Sequence, residues 1–322
     1  MIDFHNAAVL GTGMMGPGIA TTLALGGIRT TLVSRTAEGA AKGMAKARAL
    51  AEFLAVHDLI SHDEMKTACA LLAGSEAFDT TVAASDLVVE SLPEDMPFKQ
   101  QLFVHMDSVT RPETVLASNT SGLSITAIAS GCAHPERAVT SHFWNPPHLM
   151  PLVEVVKGEH TSSDAAQSLI ALLETCGKSP VLVKRDRPGQ LGNRLQMALF
   201  REAVNIVAEG IADADAVDAV VRNGLGLRMP AYGIFEHIDI TGVDLATSVV
   251  DYVVPDLYNQ PRAPELMREM TRRGDLGART GRGFYDWSLK SADDVMTRRD
   301  AFLIEVMKYR RNLQKSAQKT VA

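Results

Sequence analysis

The chain has 322 residues, of which 46% are hydrophobic and 22% charged, and a formal net charge of −6. That size supports about two domains at roughly 100–200 residues each. The acidic balance excludes the basic face that general nucleic-acid binding needs, and the basic surface that anionic lipid would hold. Three cysteines, Cys69, Cys132 and Cys176, lie far apart with no CxxC, so neither a disulfide framework nor a zinc site is expected. No basic-then-apolar leader and no apolar run of about 18 residues is visible, so no signal peptide and no membrane span are expected. The default compartment is a reducing cytoplasm.

In chain order, Ala8-Val9-Leu10 reads as a strand and Ile19 to Leu25 as a helix. Thr30 to Val33 is a second strand, 37–56 a long helix, and 62–73 a further helix opened by Ser61. Leu87-Val88-Val89 is a third strand, Lys99 to Val109 a helix, and Val115-Leu116-Ala117 a fourth strand. This alternation predicts an α/β fold: a Rossmann-type, doubly wound, mostly parallel sheet with helices on both faces. Val181-Leu182-Val183 is the last strand before Pro188-Gly189. Beyond it the pattern is helical, at 190–211, 213–223 (with Asp213 as N-cap) and 239–253. The expected division is therefore a dinucleotide-binding domain at 1–187 and an all-helical domain at 188–322. The second would end in a tail helix at about 289–316, with Val295, Phe302, Leu303, Val306 and Met307 on its apolar face, suited to docking or dimer packing.

The first strand runs into Gly11-Thr12-Gly13-Met14-Met15-Gly16, which then opens a helix. In this setting Gly11 allows a tight turn, Gly13 lets the backbone approach a pyrophosphate, and Gly16 lets helix and strand pack closely. The helix N-terminus presents free N–H groups to phosphate. An NAD site usually has an acid about 20 residues on, at the end of the second strand. Here that place holds Val33-Ser34-Arg35-Thr36. Ser34 and Arg35 suit a 2′-phosphate and favour NADP. The other reading is NAD bound without the acid, with Arg35 a solvated loop residue.

Residues 141–158, SHFWNPPHLMPLVEVVKG, place Glu154 inside an apolar run that otherwise reads as a buried strand. A buried carboxylate is costly unless paired. Val139-Thr140-Ser141 delivers His142 to a strand end, Pro146-Pro147 breaks the chain, and 152–156 returns, which sets Glu154 beside His142. A carboxylate on one ring nitrogen fixes the tautomer and leaves the other nitrogen free to take a proton from a hydroxyl. Beside a nicotinamide that amounts to alcohol oxidation. A purely structural His–Glu bond is the alternative.

Together these landmarks resemble the 3-hydroxyacyl-CoA dehydrogenase family in its broad sense, which also takes in L-gulonate 3-dehydrogenase, carnitine dehydrogenase and a pyridine-carboxylate dehydrogenase. The resemblance runs to about Trp287. It is carried by the glycine turn, Val89-Glu90-Ser91-Leu92-Pro93-Glu94, Ser118-Asn119-Thr120-Ser121-Gly122, His142-Phe143-Trp144-Asn145-Pro146 and Leu152-Val153-Glu154. Asp186-Arg187-Pro188-Gly189, Asn193-Arg194 and Thr280-Gly281-Arg282-Gly283-Phe284-Tyr285 complete it. It implies NAD or NADP as cofactor, a small-molecule substrate and a homodimer. It implies His142 as general base, Glu154 as its partner, and Ser121 and Asn193 on the reacting oxygen. Glu94, Lys99 and Arg279 would meet the cofactor's ribose and phosphates. Read without it, Lys99 is a surface lysine, Ser121 a turn residue and Asn193 a polar helix residue. The implied reaction is oxidation of the 3-hydroxyl of an acyl-CoA or a free acid. Gly122, Pro146-Pro147, His148 and the few lysines of 37–77 (Lys42, Lys46 and Lys66) point away from CoA, toward a sugar acid, a carnitine-like compound or a pyridine carboxylate. His148 lines a substrate pocket or is an exposed loop residue. A reading from another class is a dinucleotide-binding sensor or crystallin-like protein without turnover. The joint presence of Ser121, His142, Glu154 and Asn193 argues against it.

Overall fold

The computed structural model describes residues 2–321, with side chains up to Leu313. Its described residues form two compact units. The first holds residues up to Arg194 together with those from Arg298 onward, and the second Leu195–Thr297.

The first unit is built on one eight-stranded sheet in the order β3-β2-β1-β4-β5-β6-β7-β8. The strands are β1 (Asn6–Leu10), β2 (Arg29–Val33), β3 (Leu72–Ser75), β4 (Leu87–Glu90), β5 (Val115–Ser118), β6 (Ala138–Phe143), β7 (Leu152–Val156) and β8 (Ser179–Val183). All neighbours pair in parallel except β6 and β7, whose antiparallel register sets His142 opposite Glu154. Helices α1 (Gly16–Leu25), α2 (Ala37–Val56), α3 (His62–Leu71), α4 (Phe78–Ala83), α5 (Met96–Val109), α6 (Ile125–Ile128) and α7 (Ser163–Thr175) make the connections. The sheet has a packed core on each face, because successive strand residues point to opposite sides. Val9, Val89, Val115 and Ala117 enter one core, while Ala8, Leu10, Val88 and Leu116 enter the other. Ser61 opens α3 through a reciprocal capping box with Glu64, as expected.

The second unit is helical, as expected. After α8 (Gly192–Ala208), which begins in the first unit, come α9 (Ala214–Asn223), α10 (Leu225–Arg228), α11 (Ile234–Thr241), α12 (Val243–Val253) and α13 (Glu265–Arg273). Asp213 occupies the N-cap position of α9 but makes no side-chain cap bond. The tail helix α14 spans Ala292–Val321. Here the structure differs from the expected division, because from Arg298 onward this helix belongs to the first unit. Ile304 is buried with Leu54 and Leu149, with Leu303 packed against them, and Arg311 donates to the carbonyls of Asp58 and Leu59. Phe302, expected on the docking face, is 56% exposed. Residues 188–194 likewise belong to the first unit.

Candidate active site

The glycine turn lies at the end of β1, where the strand order reverses. In open α/β sheets this crevice is where ligands bind. Gly11 adopts φ +108°, and a Cβ there would meet the Ser91 carbonyl oxygen at 2.5 Å. A Cβ on Gly16 would lie 1.9 Å from the Gly11 oxygen, so close packing requires glycine at both. Gly13 is different: a Cβ there meets nothing within 4 Å, so the chain's own packing does not require its glycine, and the turn is open there. Met14 is 79% exposed on the turn, and Met15, the N-cap of α1, offers no side-chain acceptor to the first helical N–H groups. Beside the turn is a cavity of about 730 Å³, with Gly11, Thr12, Ser34, Arg35, Leu92 and Phe98 among its walls. This cradle fits a dinucleotide.

Glu76 lines the same cavity. It follows β3, whose Ser75 carbonyl accepts from Ser34 N–H at 3.0 Å. A carboxylate absent from the end of β2 is thus present just past the end of the neighbouring strand.

At the end of β6 the expected pair is formed. His142 Nδ1 lies 2.9 Å from Glu154 Oε2, and both residues are buried, 6% and 1% exposed. Because a carboxylate only accepts, the imidazole donates from Nδ1, and Nε2 is the nitrogen that Glu154 does not engage. Glu154 accepts three further bonds: Trp144 Nε1–H on Oε2, and the backbone N–H groups of Leu191 and Gly192 on Oε1. Burial pushes this carboxyl upward. The hydrogen bonds from His142, Gly192, Trp144 and Leu191 outweigh it and bring the pKa down to about 2. The pair is thus an anionic carboxylate facing an imidazole.

One hydrogen-bond chain joins the remaining candidates. Glu154 holds the backbone just before Asn193, and Asn193 Nδ2 donates to the Ser121 carbonyl at 2.6 Å. Ser121 N–H and Thr120 Oγ1–H donate to Glu94, and Lys99 Nζ stands 3.7 Å from Glu94 Oε2. Glu94, expected on the cofactor ribose, braces the turn that carries Ser121. Lys99 is not a surface lysine: it is 1% exposed and bonds Glu90 Oε1 at 2.6 Å and the Leu92 carbonyl. Glu90, fully buried, also accepts from Leu92 N–H and Ser118 Oγ–H. Sequence reasoning passed over Glu90, although a carboxylate closing the apolar run Leu87-Val88-Val89 is the same signal that marked Glu154. It also passed over Trp144 and the Leu191–Gly192 amides.

Arg279 stands in the second unit, in the 3₁₀ turn Ala278–Thr280. His148 is half-buried and meets Phe53 edge-on, so it is not an exposed loop histidine. It lines a separate cavity of about 320 Å³ together with Lys178 and Arg310. Burial, then the nearby Lys178 charge, pulls its pKa down to about 4. No group of three metal-ligating side chains occurs among the described residues, and none of their helices is long and apolar enough to cross a membrane.

Comparison with known proteins agrees with this geometry. Residues 6–187 match the family described as 3-hydroxyacyl-CoA dehydrogenase, NAD binding domain, and residues 189–287 match its C-terminal domain. The chain is 30% identical to 5-formyl-3-hydroxy-2-methylpyridine 4-carboxylate 5-dehydrogenase of Mesorhizobium japonicum, over 94% of this chain and 97% of that one. It is 34% identical to a probable 3-hydroxybutyryl-CoA dehydrogenase of Bacillus subtilis, over 90% of this chain and 100% of that one. A crystal structure of a 5-dehydrogenase of the same pyridine carboxylate, described as an NAD⁺-dependent dismutase, superposes with a TM-score of 0.86 at 29% identity, covering 97% of this chain and 99% of its own. The glycine cradle, the paired histidine and glutamate and the matched residues lead to one conclusion: the chain belongs to the 3-hydroxyacyl-CoA dehydrogenase family of NAD-binding oxidoreductases.

Proposed function

We propose that this protein is an NAD-dependent dehydrogenase that oxidises a secondary alcohol, with His142 as general base and Glu154 as its orienting partner. The observation that carries the reading is the 2.9 Å bond between His142 Nδ1 and Glu154 Oε2, which leaves Nε2 for the substrate hydroxyl. NAD, when bound, supplies the hydride acceptor. His142 takes the hydroxyl proton as the alcohol becomes a carbonyl and returns it in the reverse direction. The carboxylate stabilises the imidazolium formed. Ser121 and Asn193, joined by their own hydrogen bond, hold the oxygen that changes between hydroxyl and carbonyl. Gly11, Gly13, Met14, Met15 and Gly16 hold the pyrophosphate.

For the substrate we favour a small free acid over an acyl-CoA. Support comes from the pyridine-carboxylate relative, whose likeness spans 97% of the chain and so runs into α14. The few lysines of 37–77 point the same way. A 3-hydroxyacyl-CoA is the second reading, favoured by relatives such as the Bacillus subtilis protein. NADH formation with free 3-hydroxy acids and with 3-hydroxybutyryl-CoA decides between them. Turnover of the CoA ester alone would sink the first reading, and no turnover with any would favour a binding protein. The three cysteines are unpaired, which suits a cytoplasmic setting.

Between the two cofactors, Glu76 favours NAD. A carboxylate accepts from ribose hydroxyls and repels a 2′-phosphate. NAD is expected to bind at least about tenfold more tightly than NADP, and Glu76→Gln to narrow that ratio several-fold. Titration calorimetry with both cofactors checks this. A tighter NADP complex would restore Ser34 and Arg35 as the deciding pair.

A homodimer is part of the same reading. On α12, Leu245, Val249 and Tyr252 are 56%, 52% and 86% exposed, an apolar face that water does not favour. Leu245→Asp with Val249→Asp is expected to convert a dimer to a monomer in sedimentation velocity. A wild-type monomer would contradict the proposal.

A further inference from the structure

Glu154 has one more side-chain donor than orientation of an imidazole requires. Its Oε2 accepts from two side chains, His142 Nδ1 at 2.9 Å and Trp144 Nε1 at 3.1 Å. The indole has a place built for it. A Cβ on Gly192 would lie 2.4 Å from Trp144 Cζ2, so only glycine leaves room for the ring. The same Gly192 gives its N–H to Oε1 of the same carboxylate, at 2.8 Å. The imidazole and indole rings are 5.8 Å apart and tilted by 49°. Trp144, one residue past the end of β6, and His142 near that end thus meet at a single oxygen of β7.

We propose that Trp144 is a positioning residue that sets the basicity of His142. By sharing Oε2, the indole N–H holds the carboxylate in register with the imidazole and takes up part of its charge. A carboxylate already stabilised by other donors stabilises an imidazolium less. Loss of the indole donor would therefore strengthen the carboxylate's hold on the imidazolium formed in the reaction. The proposal rests on His142 being the base.

The test is the pH dependence of kcat/KM for the alcohol oxidised. Trp144→Phe keeps an aromatic ring against Gly192 and removes the donor. Its acid limb is expected to move upward by about half a pH unit or more, because a donor to the charged partner is lost. The same substitution made on top of Glu154→Gln is expected to move nothing, since the oxygen that couples the two residues has changed. A second measurement needs no substitution. In protein carrying ¹⁵N-labelled tryptophan, the Trp144 indole resonance is expected to shift as pH passes through that limb. A limb that persists in His142→Ala sinks the base assignment and this proposal with it. A limb lost in His142→Ala but unmoved in Trp144→Phe sinks this proposal alone, as does an indole resonance that stays still.

Discussion

His142→Ala is expected to lower kcat by at least about two orders of magnitude, within the roughly 10²–10⁴-fold range of a positioned general base. The substitution removes the proton acceptor and leaves the glycine turn intact, 3.0 Å backbone bond from Gly11 N–H to Val33 included. NAD affinity should therefore be unchanged, as fluorescence titration of the bound cofactor can establish. Glu154→Gln should lose less. Its remaining oxygen can still accept from the Leu191 and Gly192 amides, but its NH2 then faces the His142 and Trp144 donors, and it no longer stabilises the imidazolium electrostatically. Glu154→Gln with wild-type turnover would make that carboxylate a structural element only. Full activity in His142→Ala would overturn the base assignment.

The second large effect falls on stability. Lys99 and Glu90 form a buried ion pair at 2.6 Å, with side chains 1% and 0% exposed. Removing one partner of such a pair leaves an uncompensated buried charge and costs about 3–5 kcal/mol. Lys99→Met is expected to reach that range in urea unfolding, whereas substitution of an exposed lysine such as Lys42 should stay within about 0.5 kcal/mol. The double variant Lys99→Met, Glu90→Leu is expected to recover part of the loss, because both charges are gone. Lys99 also stands 3.7 Å from Glu94, which holds the turn of Ser121, so Lys99→Met should raise KM as well. A loss below about 1 kcal/mol would show that water reaches the pair.

Much of this molecule could be read from its residues. The 20-residue helix at 37–56 was legible because its many Ala, Lys, Glu and Leu residues are strong helix formers that outweigh Gly39 and Gly43. The pairing of His142 with Glu154 was legible because an acid in an apolar strand needs a partner and a short loop can return it. Strand β3 was hidden. Its segment, Leu72-Ala73-Gly74-Ser75, has no β-branched residue and follows a helix without a break, so local propensity extends α3 through it. Only the edge of β2 makes it a strand. The tail helix was found, but its partner was not. Helical periodicity names an apolar face without saying what covers it, and Ile304 rather than Phe302 makes the buried contact. Glu76 reaches the cofactor cavity across strands, a proximity that no spacing along the chain encodes. The Glu90–Lys99 pair lies nine residues apart, on β4 and α5, and is likewise a product of the βα packing.

The central claim is that the imidazole of His142, braced by Glu154, is the group that exchanges a proton with the substrate oxygen. The pH dependence of kcat/KM in wild type and in His142→Ala, on whichever alcohol the screen identifies, tests it most directly. The account predicts one ionisation on the acid side in wild type and a flat residual rate in His142→Ala across the same range. An acid limb of the same position and steepness in both proteins would contradict it.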